Sequence, residues 1–454
     1  MTRSRELAKI LTDGNLTGTL DVAGVLTGAS LDISGNIDID GTSNLDVVDI
    51  DGAVNFAADV TFADGADIVT ASAGTSNFRA GVNAGNSIVS NGNENVVVGD
   101  EAGTAITTGD DNTALGFRAL STNTTSGRNT AIGHDALRVL NHTDATNGYN
   151  VAIGHGSGES MTTATTNTLI GSQAGDAITT GSSHVAVGFG ALGANTTASN
   201  CVGIGYESLA NNTTGASNTG IGTYSLALNT TGASNFAGGY NSLGANTTGA
   251  NNVSIGFRAL QANTTASNNT AVGYASLYTN TTGADNTAVG SASMDSNTTG
   301  SYNTSVGRLA LETNTTAVFN TAMGYLAMRY NTTGANNTAI GADALGNNTT
   351  GASNTAVGKE ALKANTTAGG NTGIGFDSGK VNTTGNQNTS VGAYSLRANT
   401  TGTSNTAIGY AALFSNTTAG AITGVGDHAL HGNTTGTMNT GIGYHALITN
   451  TTGA

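Results

Sequence analysis

Asn269-Thr-Ala-Val-Gly-Tyr-Ala-Ser-Leu-Tyr-Thr-Asn-Thr-Thr-Gly-Ala-Asp285 is the stretch of sequence that decides the fold. Its first four residues alternate and include a β-branched residue at position 4, which is typical of a short β-strand. Glycine at position 5, and Gly or Ala at position 15, mark corners where the backbone needs a positive φ or room for a close neighbour. Positions 6 to 11 favour Ala and Leu, which predicts either one helical turn, as propensity favours, or a second strand.

The same unit, N-T-A-[IV]-G-[YF]-x-[AS]-L-x-x-N-T-T-G-A-x, recurs every 17 residues. The glycine of position 5 keeps this spacing from Gly154 to Gly443, a distance of 289 residues, or 17 times 17. Three upstream glycines keep it as well: Gly99, Gly116 and Gly133. A four-residue insertion around Asn141 lengthens one step to 21 residues, and the chain holds 21 repeats in all. A disordered low-complexity chain has no reason to hold such a phase, so the repeat indicates an ordered protein.

One unit is too small to bury its apolar residues, but stacked units join these residues into continuous rows. We therefore predict an all-β, fibrous β-solenoid in which the residues of position 4 and the leucines of position 9 meet in a thin core. With strands about 4.8 Å apart, the 21 coils would form a rod of roughly 100 Å. The asparagines of positions 1 and 12 are expected to stack on their copies, because a side-chain amide can both donate and accept along the row.

The residue at position 3 suggests how chains associate. It is small in almost every repeat, as in Ala288, Ser305 and Gly373. Small side chains suit close packing against another chain, and the core of a single coil is thin. We therefore expect a homotrimeric β-solenoid, or β-roll, wound about a common axis.

Composition disfavours several classes of protein. Charged residues make up 9% of the 454 residues, against about 25% in average proteins, so a set of ordinary enzyme domains is not expected. The net charge of −15 argues against binding to nucleic acid or to an anionic membrane. No apolar run is long enough for a transmembrane helix, and the single cysteine, Cys201, excludes an intrachain disulfide.

The first part of the chain differs from the repeats. Residues 1–12 predict a short amphipathic, basic helix, which would serve as a docking peptide for a virion protein. Residues 13–78 contain eleven aspartates and no Lys or Arg, and their alternating pattern predicts an acidic shaft of intertwined β-strands. Residues 79–454 form the predicted solenoid of 17-residue repeats. The sequence stops inside a repeat, so we expect a C-terminal tip or cap to be absent.

No catalytic constellation and no cofactor motif emerges, so we expect no enzyme activity and no catalytic, cofactor-binding or metal-binding residues. His428 and His431 are close in sequence but have no cysteine partner, which favours a surface pair over a metal site. Asn36–Gly41 resembles a calcium loop. However, Val47 occupies the twelfth position, where a bidentate Glu is needed, and a solvated strand edge is favoured.

Two surface features recur with the repeat. Asn-Thr-Thr at positions 12 to 14 matches a glycosylation sequon, although its place at a corner is a sufficient structural cause for its regularity. Position 6 is aromatic in ten repeats: Phe117, Phe189, Tyr206, Tyr240, Phe257, Tyr274, Tyr325, Phe376, Tyr410 and Tyr444. Such a row could stack on sugars, but packing over the edge of the coil is the favoured interpretation.

Over residues 95–454, the unit N-T-A-[IV]-G-[YF]-x-[AS]-L-x-x-N-T-T-G resembles repeats in the heads of trimeric autotransporter adhesins and in bacteriophage tail fibres. Leu16–Gly24 is similar to shaft segments of phage tail fibres, and Ser4–Leu11 is similar to the starts of some phage structural proteins. The resemblance implies a virion-anchored homotrimer that presents a receptor-binding tip to a bacterial surface. The chain departs from the adhesins in lacking a secretion signal and a C-terminal barrel, and from phage fibres in lacking a tip or chaperone domain.

We therefore expect a structural virion fibre, on the tail or the capsid, that attaches to a glycan or protein receptor on a host cell. Its expected location is the virion, as an extracellular fibre without membrane insertion. One alternative is a trimeric adhesin on a bacterial surface. Another is an ice-binding β-solenoid, because stacked Thr-Thr pairs could form a regular array, although the varied residues at positions 16 and 17 disfavour it.

Overall fold

The computed structural model describes residues 72–453 and has the predicted parallel β-solenoid fold. Within this range 22 strands of three residues each pair in one continuous sheet, and there is no helix. In chain order the strands are β1 Phe78–Ala80, β2 Val96–Val98, β3 Thr113–Leu115, β4 Thr130–Ile132, β5 Val151–Ile153, β6 Thr168–Ile170, β7 Val185–Val187, β8 Val202–Ile204, β9 Thr219–Ile221, β10 Phe236–Gly238, β11 Val253–Ile255, β12 Thr270–Val272, β13 Thr287–Val289, β14 Thr304–Val306, β15 Thr321–Met323, β16 Thr338–Ile340, β17 Thr355–Val357, β18 Thr372–Ile374, β19 Thr389–Val391, β20 Thr406–Ile408, β21 Thr423–Val425 and β22 Thr440–Ile442. The docking helix predicted for residues 1–12, and residues 13–71 of the predicted shaft, lie outside the described residues.

Successive strands pair in parallel and in register, so equivalent positions of neighbouring repeats stack on one another. For example, β12 pairs with β13 by placing Thr270 beside Thr287. β1 precedes the 21 repeats counted in the sequence and adds one strand to the sheet. The insertion near Asn141 leaves the register intact, because β4 and β5 still pair Thr130 with Val151.

The glycine of position 5 is required by the close approach of neighbouring coils. Gly307 has a φ of +138°, and a Cβ there would lie 2.5 Å from the carbonyl oxygen of Gly324 in the next coil. A side chain at this position would therefore be both strained and blocked. At position 15 the next coil is also close, since a Cβ on Gly249 would lie 2.2 Å from the carbonyl oxygen of Ala266, but alanine is accommodated at this position in other coils.

The core differs from the prediction at position 4. The small residues of positions 3 and 8 and the leucine of position 9 are buried, as Ala288, Ala310 and Leu277 illustrate with 0% exposure. At position 4, in contrast, Ile340 and Ile408 are 40% and 39% exposed. Alternate side chains of a strand point to opposite faces, so position 3 enters the coil while positions 2 and 4 face outward. The prediction that position 4 meets the position-9 leucine in the core is therefore wrong.

The position-9 leucine packs beneath position 3 instead. A Cβ placed on Gly373 would lie 2.8 Å from Cγ of Leu362, the position-9 leucine of the preceding coil. Contact within one chain therefore explains why position 3 is small. The small side chain of position 3 is therefore no indication of a trimer.

Positions 6 to 11 form neither the helical turn nor the second strand that the sequence suggested. They make two tight turns, in which Ala259 N–H donates to the carbonyl of Gly256 over 3.3 Å, and Asn263 N–H donates to the carbonyl of Leu260 over 3.2 Å. Positions 7 and 9 have positive φ, with 56° at Arg258 and 48° at Leu260. A left-handed residue costs about 1–2 kcal/mol, and burial of a leucine side chain contributes about 1.5–3 kcal/mol. Burial of the position-9 leucine therefore offsets the strain of its own left-handed backbone.

Four of the 21 repeats replace the position-9 leucine by glycine, and all but that of Gly379 restore the lost volume from position 12. The replacements are Gly103 with Ile106, Gly158 with Met161, and Gly175 with Ile178. A Cβ on Gly175 would lie 2.6 Å from Cδ1 of Ile178, so the larger side chain fills the space of the missing leucine. All three of these apolar side chains are fully buried. In these three coils the core thus keeps its volume, as close packing requires.

Asparagine ladders are present at positions 1 and 12, as predicted. At position 1, Asn337 N–H donates to Oδ1 of Asn320 over 2.9 Å, and Oδ1 of Asn337 accepts from Asn354 N–H over 2.9 Å. At position 12, Nδ2 of Asn348 donates to Oδ1 of Asn331 over 2.8 Å. All of these asparagines are buried. Their amides satisfy one another along the axis, which removes the cost of burying polar groups.

Candidate functional site

The positions that vary among repeats define the candidate site. Positions 1, 3, 5, 8, 9 and 12 supply the ladders, the core and the corner, and they are nearly constant from repeat to repeat. Positions 6, 7, 10 and 11 vary among charged, aromatic and small residues. They form the two tight turns of each coil, and we call the surface they make the turn face. Variable side chains on a constant scaffold are where a solenoid is expected to contact a ligand.

Aromatic side chains of the turn face stack along the axis. The ring centroids of Phe189 and Tyr206 lie 5.5 Å apart, and those of Tyr240, Phe257 and Tyr274 follow at 5.3 and 5.5 Å. Each of these rings therefore packs against the ring of the next coil. The rings are also solvent-exposed, by 42% at Phe257 and 60% at Tyr274, so a ligand can reach their edges.

A ladder of ion pairs crosses part of the turn face. Acidic residues at position 7 alternate with basic residues at position 10, namely Asp343, Glu360 and Asp377 with Lys363, Lys380 and Arg397. Lys380 contacts Glu360 and lies 3.2 Å from Oδ2 of Asp377. The hydrogen bond from Lys380 lowers the pKa of Glu360, and the same bond raises the pKa of Lys380. Both groups therefore stay charged around neutral pH.

The ion-pair ladder ends at a cavity of about 540 Å³. The lining residues are Phe376, Asp377, Tyr394, Arg397, Tyr410, Ala411, Phe414, His428 and His431. The carboxylate of Asp377 is only 4% exposed, and its Oδ1 has no hydrogen-bond partner among the described residues. Aromatic rings beside charged hydrogen-bonding groups suit a ligand that combines hydroxyls with apolar faces, such as a saccharide.

Stacking of the coils brings together residues that the sequence places in two repeats. His428 and His445 both occupy position 7 and are 17 residues apart, so their ring centroids lie only 5.3 Å from each other. Asp427 is hydrogen-bonded to Nδ1 of His428. Proximity in sequence suggested only the pair of His428 and His431, whereas the 17-residue period was the signal that could have added His445. The ring of His431 lies 5.0 Å from that of His428, and burial, followed by the nearby His428 and His445, lowers the pKa of His431.

His184 and Cys201 belong to the scaffold rather than to a reactive site. Both stand at position 1, where asparagine is usual. Nδ1 of His184 accepts from Cys201 N–H over 3.2 Å, so Nε2 carries the proton and donates to the carbonyl of Ala198 over 2.8 Å. The imidazole thus takes the place of an asparagine amide in the ladder. Burial lowers the pKa of His184 and raises the pKa of the Cys201 thiol, which keeps both groups neutral.

The outward side of the strands forms a second surface, which we call the sheet face. It consists of position 2, usually threonine, and position 4, usually valine or isoleucine. Ile255, Ile340 and Ile374 are 42%, 40% and 39% exposed. The sheet face therefore carries a row of exposed or half-buried apolar side chains, interrupted at Gly238, which is unusual for a surface that only meets water.

Two further sequence features have plain outcomes. The calcium-like stretch Asn36–Gly41 lies outside the described residues. In the Asn-Thr-Thr motif, the first threonine hydroxyl donates to the equivalent carbonyl of the next coil, as Thr332 does to Thr349 over 3.0 Å. The motif therefore holds neighbouring coils together, which accounts for its regularity.

Comparison with models of protein families, with curated proteins and with solved structures finds no match to the chain. Residues 72–453 contain no helix with the length and apolarity needed to cross a membrane. A β-solenoid is typically a structural scaffold that offers an extended binding surface. The turn face and the sheet face are therefore the features from which a function can be argued.

Proposed function

We propose that this protein is a structural fibre of a virion, on the tail or the capsid, and that it attaches the particle to the surface of a host cell. The observation that carries the proposal is a single stack of coils that presents a face of variable side chains, those of positions 6, 7, 10 and 11. Hydrogen bonds join every coil to the next, through the backbone and through the asparagine ladders, which stiffens the rod. A stiff rod suits a protein that holds its receptor-binding side chains away from an anchor. We assign it no enzymatic activity.

In this proposal the fibre is a homotrimer, and the sheet face is the contact between chains. The exposed residues of position 4 would be covered by the same row of a neighbouring chain. Full burial of a valine or isoleucine side chain contributes about 1.5–3 kcal/mol. Partial burial of these side chains, repeated along the rod, would therefore add up to a large free energy of association between chains. Position 4 replaces position 3 as the proposed contact between chains, because the side chain of position 3 is already buried inside its own coil.

The turn face is the proposed contact with the host receptor, a surface glycan or a protein. Its stacked aromatic rings offer apolar edges, and its ion-pair ladder offers charged hydrogen-bonding groups at fixed spacing. A repeated ligand, such as a surface polysaccharide, would meet similar groups in successive coils, and weak contacts would add up by multivalency.

Immunogold electron microscopy of purified particles tests this function. An antibody against the repeats should label thin fibres that project from virions. Purified protein should also compete with virions for adsorption to host cells. Label on the surface of the producing cells, with none on virions, would contradict a virion fibre and would favour a bacterial surface adhesin.

Sedimentation of the full chain tests the homotrimer separately. The purified protein is expected to sediment as an assembly of three chains. Ile340→Lys together with Ile374→Lys should dissociate this trimer, because each ammonium group buried between chains would lack a partner. Thr333→Lys is the matched control, since Thr333 is exposed at position 14 and lies on neither face. A monomeric wild-type chain, or trimers that tolerate the two sheet-face lysines, would contradict the proposed contact.

The sheet face also favours a second candidate function, ice binding. Thr287, Thr304 and Thr321 stack in register, with valine or methionine beside them at position 4. Hydroxyls and methyls repeated at a strand spacing of about 4.8 Å form a regular array. The Thr-Thr pairs considered from the sequence are less suited, because their first hydroxyl already donates to a carbonyl. Thermal hysteresis measures this function, and its absence at high protein concentration would remove the candidate.

A further inference from the structure

We propose that Asp427, His428 and His445 form a binding site for a divalent transition-metal ion, with Zn²⁺ as its probe. One ligand atom from each residue lies within 4.8 Å of the other two. This is the only group of three or more potential ligands brought together so closely among residues 72–453. The proposal does not depend on the virion-fibre function.

The ligands are of the kind that zinc prefers. Two imidazole nitrogens and one carboxylate oxygen bind Zn²⁺ at about 2.0–2.2 Å and leave a fourth position for water. Ligand atoms of a tetrahedral site are then roughly 3.4 Å apart. The three ligand atoms lie within 4.8 Å of one another, and rotation of the side chains can adjust their spacing, since the Asp427 and His428 side chains are 48% and 30% exposed.

The backbone holds the two coils of the site in place. His445 N–H donates to the carbonyl of Asp427 over 2.9 Å, which ties the second histidine directly to the residue that supplies the carboxylate. His428 and His445 have nearly the same φ, 53° and 55°, so their side chains leave the coil in the same direction. The site is therefore a consequence of one histidine recurring after one 17-residue period.

Neighbouring side chains restrict how the imidazoles turn. The ring of Tyr444 stacks on His445 with centroids 3.8 Å apart, and Tyr410 lies 5.4 Å from His428. The carboxylate of Asp427 contacts Nδ1 of His428 and fixes the ring orientation in the metal-free chain. A cation is also favoured by the overall charge of −15.

Isothermal titration of the full chain with Zn²⁺, after treatment with EDTA and dialysis near neutral pH, tests the site. One Zn²⁺ per chain is expected. His428→Ala, His445→Ala and Asp427→Asn should each weaken binding by at least about tenfold, the lower bound for loss of a supporting group around a metal. Co²⁺ in place of Zn²⁺ should give visible absorption bands that the same three variants lose.

The histidine variants are expected to fold, because alanine already occupies position 7 with positive φ at Ala275 and Ala411. Far-UV circular dichroism of each variant checks this. His155→Ala is the matched control: His155 stacks on His134 of the neighbouring coil at 5.0 Å but belongs to no three-ligand group. It should leave Zn²⁺ binding unchanged.

Amide hydrogen exchange provides a second test, which measures the local stability of the coil that contains His445 rather than the affinity for Zn²⁺. Zn²⁺ should slow amide hydrogen exchange in residues 440–450, because the ion links the coil of Asp427 to that of His445. No binding at millimolar Zn²⁺ would overturn the proposal. So would binding that His445→Ala leaves unchanged, since such binding would be adventitious.

Discussion

Asn337→Ala should weaken its coil by about 2–4 kcal/mol, because the ladder depends on each amide in turn. In the native chain, Oδ1 of Asn337 accepts from Asn354 N–H over 2.9 Å, and Nδ2 of Asn337 donates to the carbonyl of Gly351 over 2.9 Å. The alanine leaves Asn354 N–H without a partner in a residue that is 0% exposed. An unsatisfied buried donor costs about 1–3 kcal/mol, and the lost amide bond adds about 0.5–1.5 kcal/mol.

The carbonyl of Gly351 limits the damage. It also accepts from Nδ2 of Asn348 over 2.9 Å, so it keeps one partner after the substitution. The main loss therefore falls on the coil of Asn354, on the C-terminal side of the altered residue. Since a solenoid is stabilised by contacts between nearest neighbours, distant coils should be unaffected.

Native-state hydrogen exchange of the full chain, followed by mass spectrometry, measures this loss locally. Exchange in residues 338–358 should accelerate by about 30- to 700-fold, which converts the predicted 2–4 kcal/mol at about 1.4 kcal/mol per factor of ten. Asn336→Ala is the matched control, because Asn336 is exposed and adjacent, and its positive φ is shared by Ala421 at the same position. Unchanged exchange in Asn337→Ala, or an equal effect of Asn336→Ala, would refute the ladder argument.

Two other predictions concern the core and its response to pH. Leu311 is fully buried at a φ of 50°, so Leu311→Ala should lower the free energy of unfolding by about 3–5 kcal/mol. Leu311→Gly should lower it no further, because glycine relieves about 1 kcal/mol of left-handed strain. Urea unfolding compares the two variants, and a clearly less stable glycine variant would contradict the strain. Burial lowers the pKa of His184 from its ordinary 6.5, so the unfolded chain takes up a proton more readily than the folded chain, and stability should fall as pH drops below about 6.5, by up to about 1.4 kcal/mol per pH unit. His184→Asn should restore the asparagine ladder and reduce this loss of stability in acid. Denaturant unfolding of both chains at a series of pH values measures it, and an unchanged dependence of stability on pH in the variant would contradict the role of His184.

Much of the solenoid followed from the sequence because its constraints act along the repeat. The 17-residue period, the strand around Val272, the corner at Gly273 and the amide ladders each depend on one residue type recurring in phase. The glycine of position 5, which has a positive φ and whose Cβ would strike the next backbone, is glycine in every coil. These features are local or nearest-neighbour effects, so one repeat predicts the next.

The orientation of the strand could not be obtained in the same way. Its alternation separates positions 2 and 4 from position 3, but both sets contain apolar residues. The prediction placed position 4, for example Ile340, in the core with the leucine of position 9. The space inside the coil is already filled by the leucine of position 9, as the contact between position 3 and Leu362 indicates. Only a small side chain fits there. Volume, rather than hydrophobicity, decided which side of the strand is buried.

The candidate sites divide in a similar manner. The aromatic row of position 6 was visible in the sequence, whereas the grouping of Asp427 and His428 with His445 required knowing which residues stack. The cavity beside Ala411 likewise depends on a small residue lying between aromatic rings of neighbouring coils.

By itself, therefore, the sequence determined that the chain is a parallel stack of coils, because a strict period can be satisfied only if each unit completes its neighbour. Tertiary structure alone decided which side chains fill the coil, which left-handed residues the turns accept, and which surface residues meet. The physical reason is that these outcomes depend on space shared between coils. A single repeat carries the spacing of its residues but not the volume left by the coil beside it.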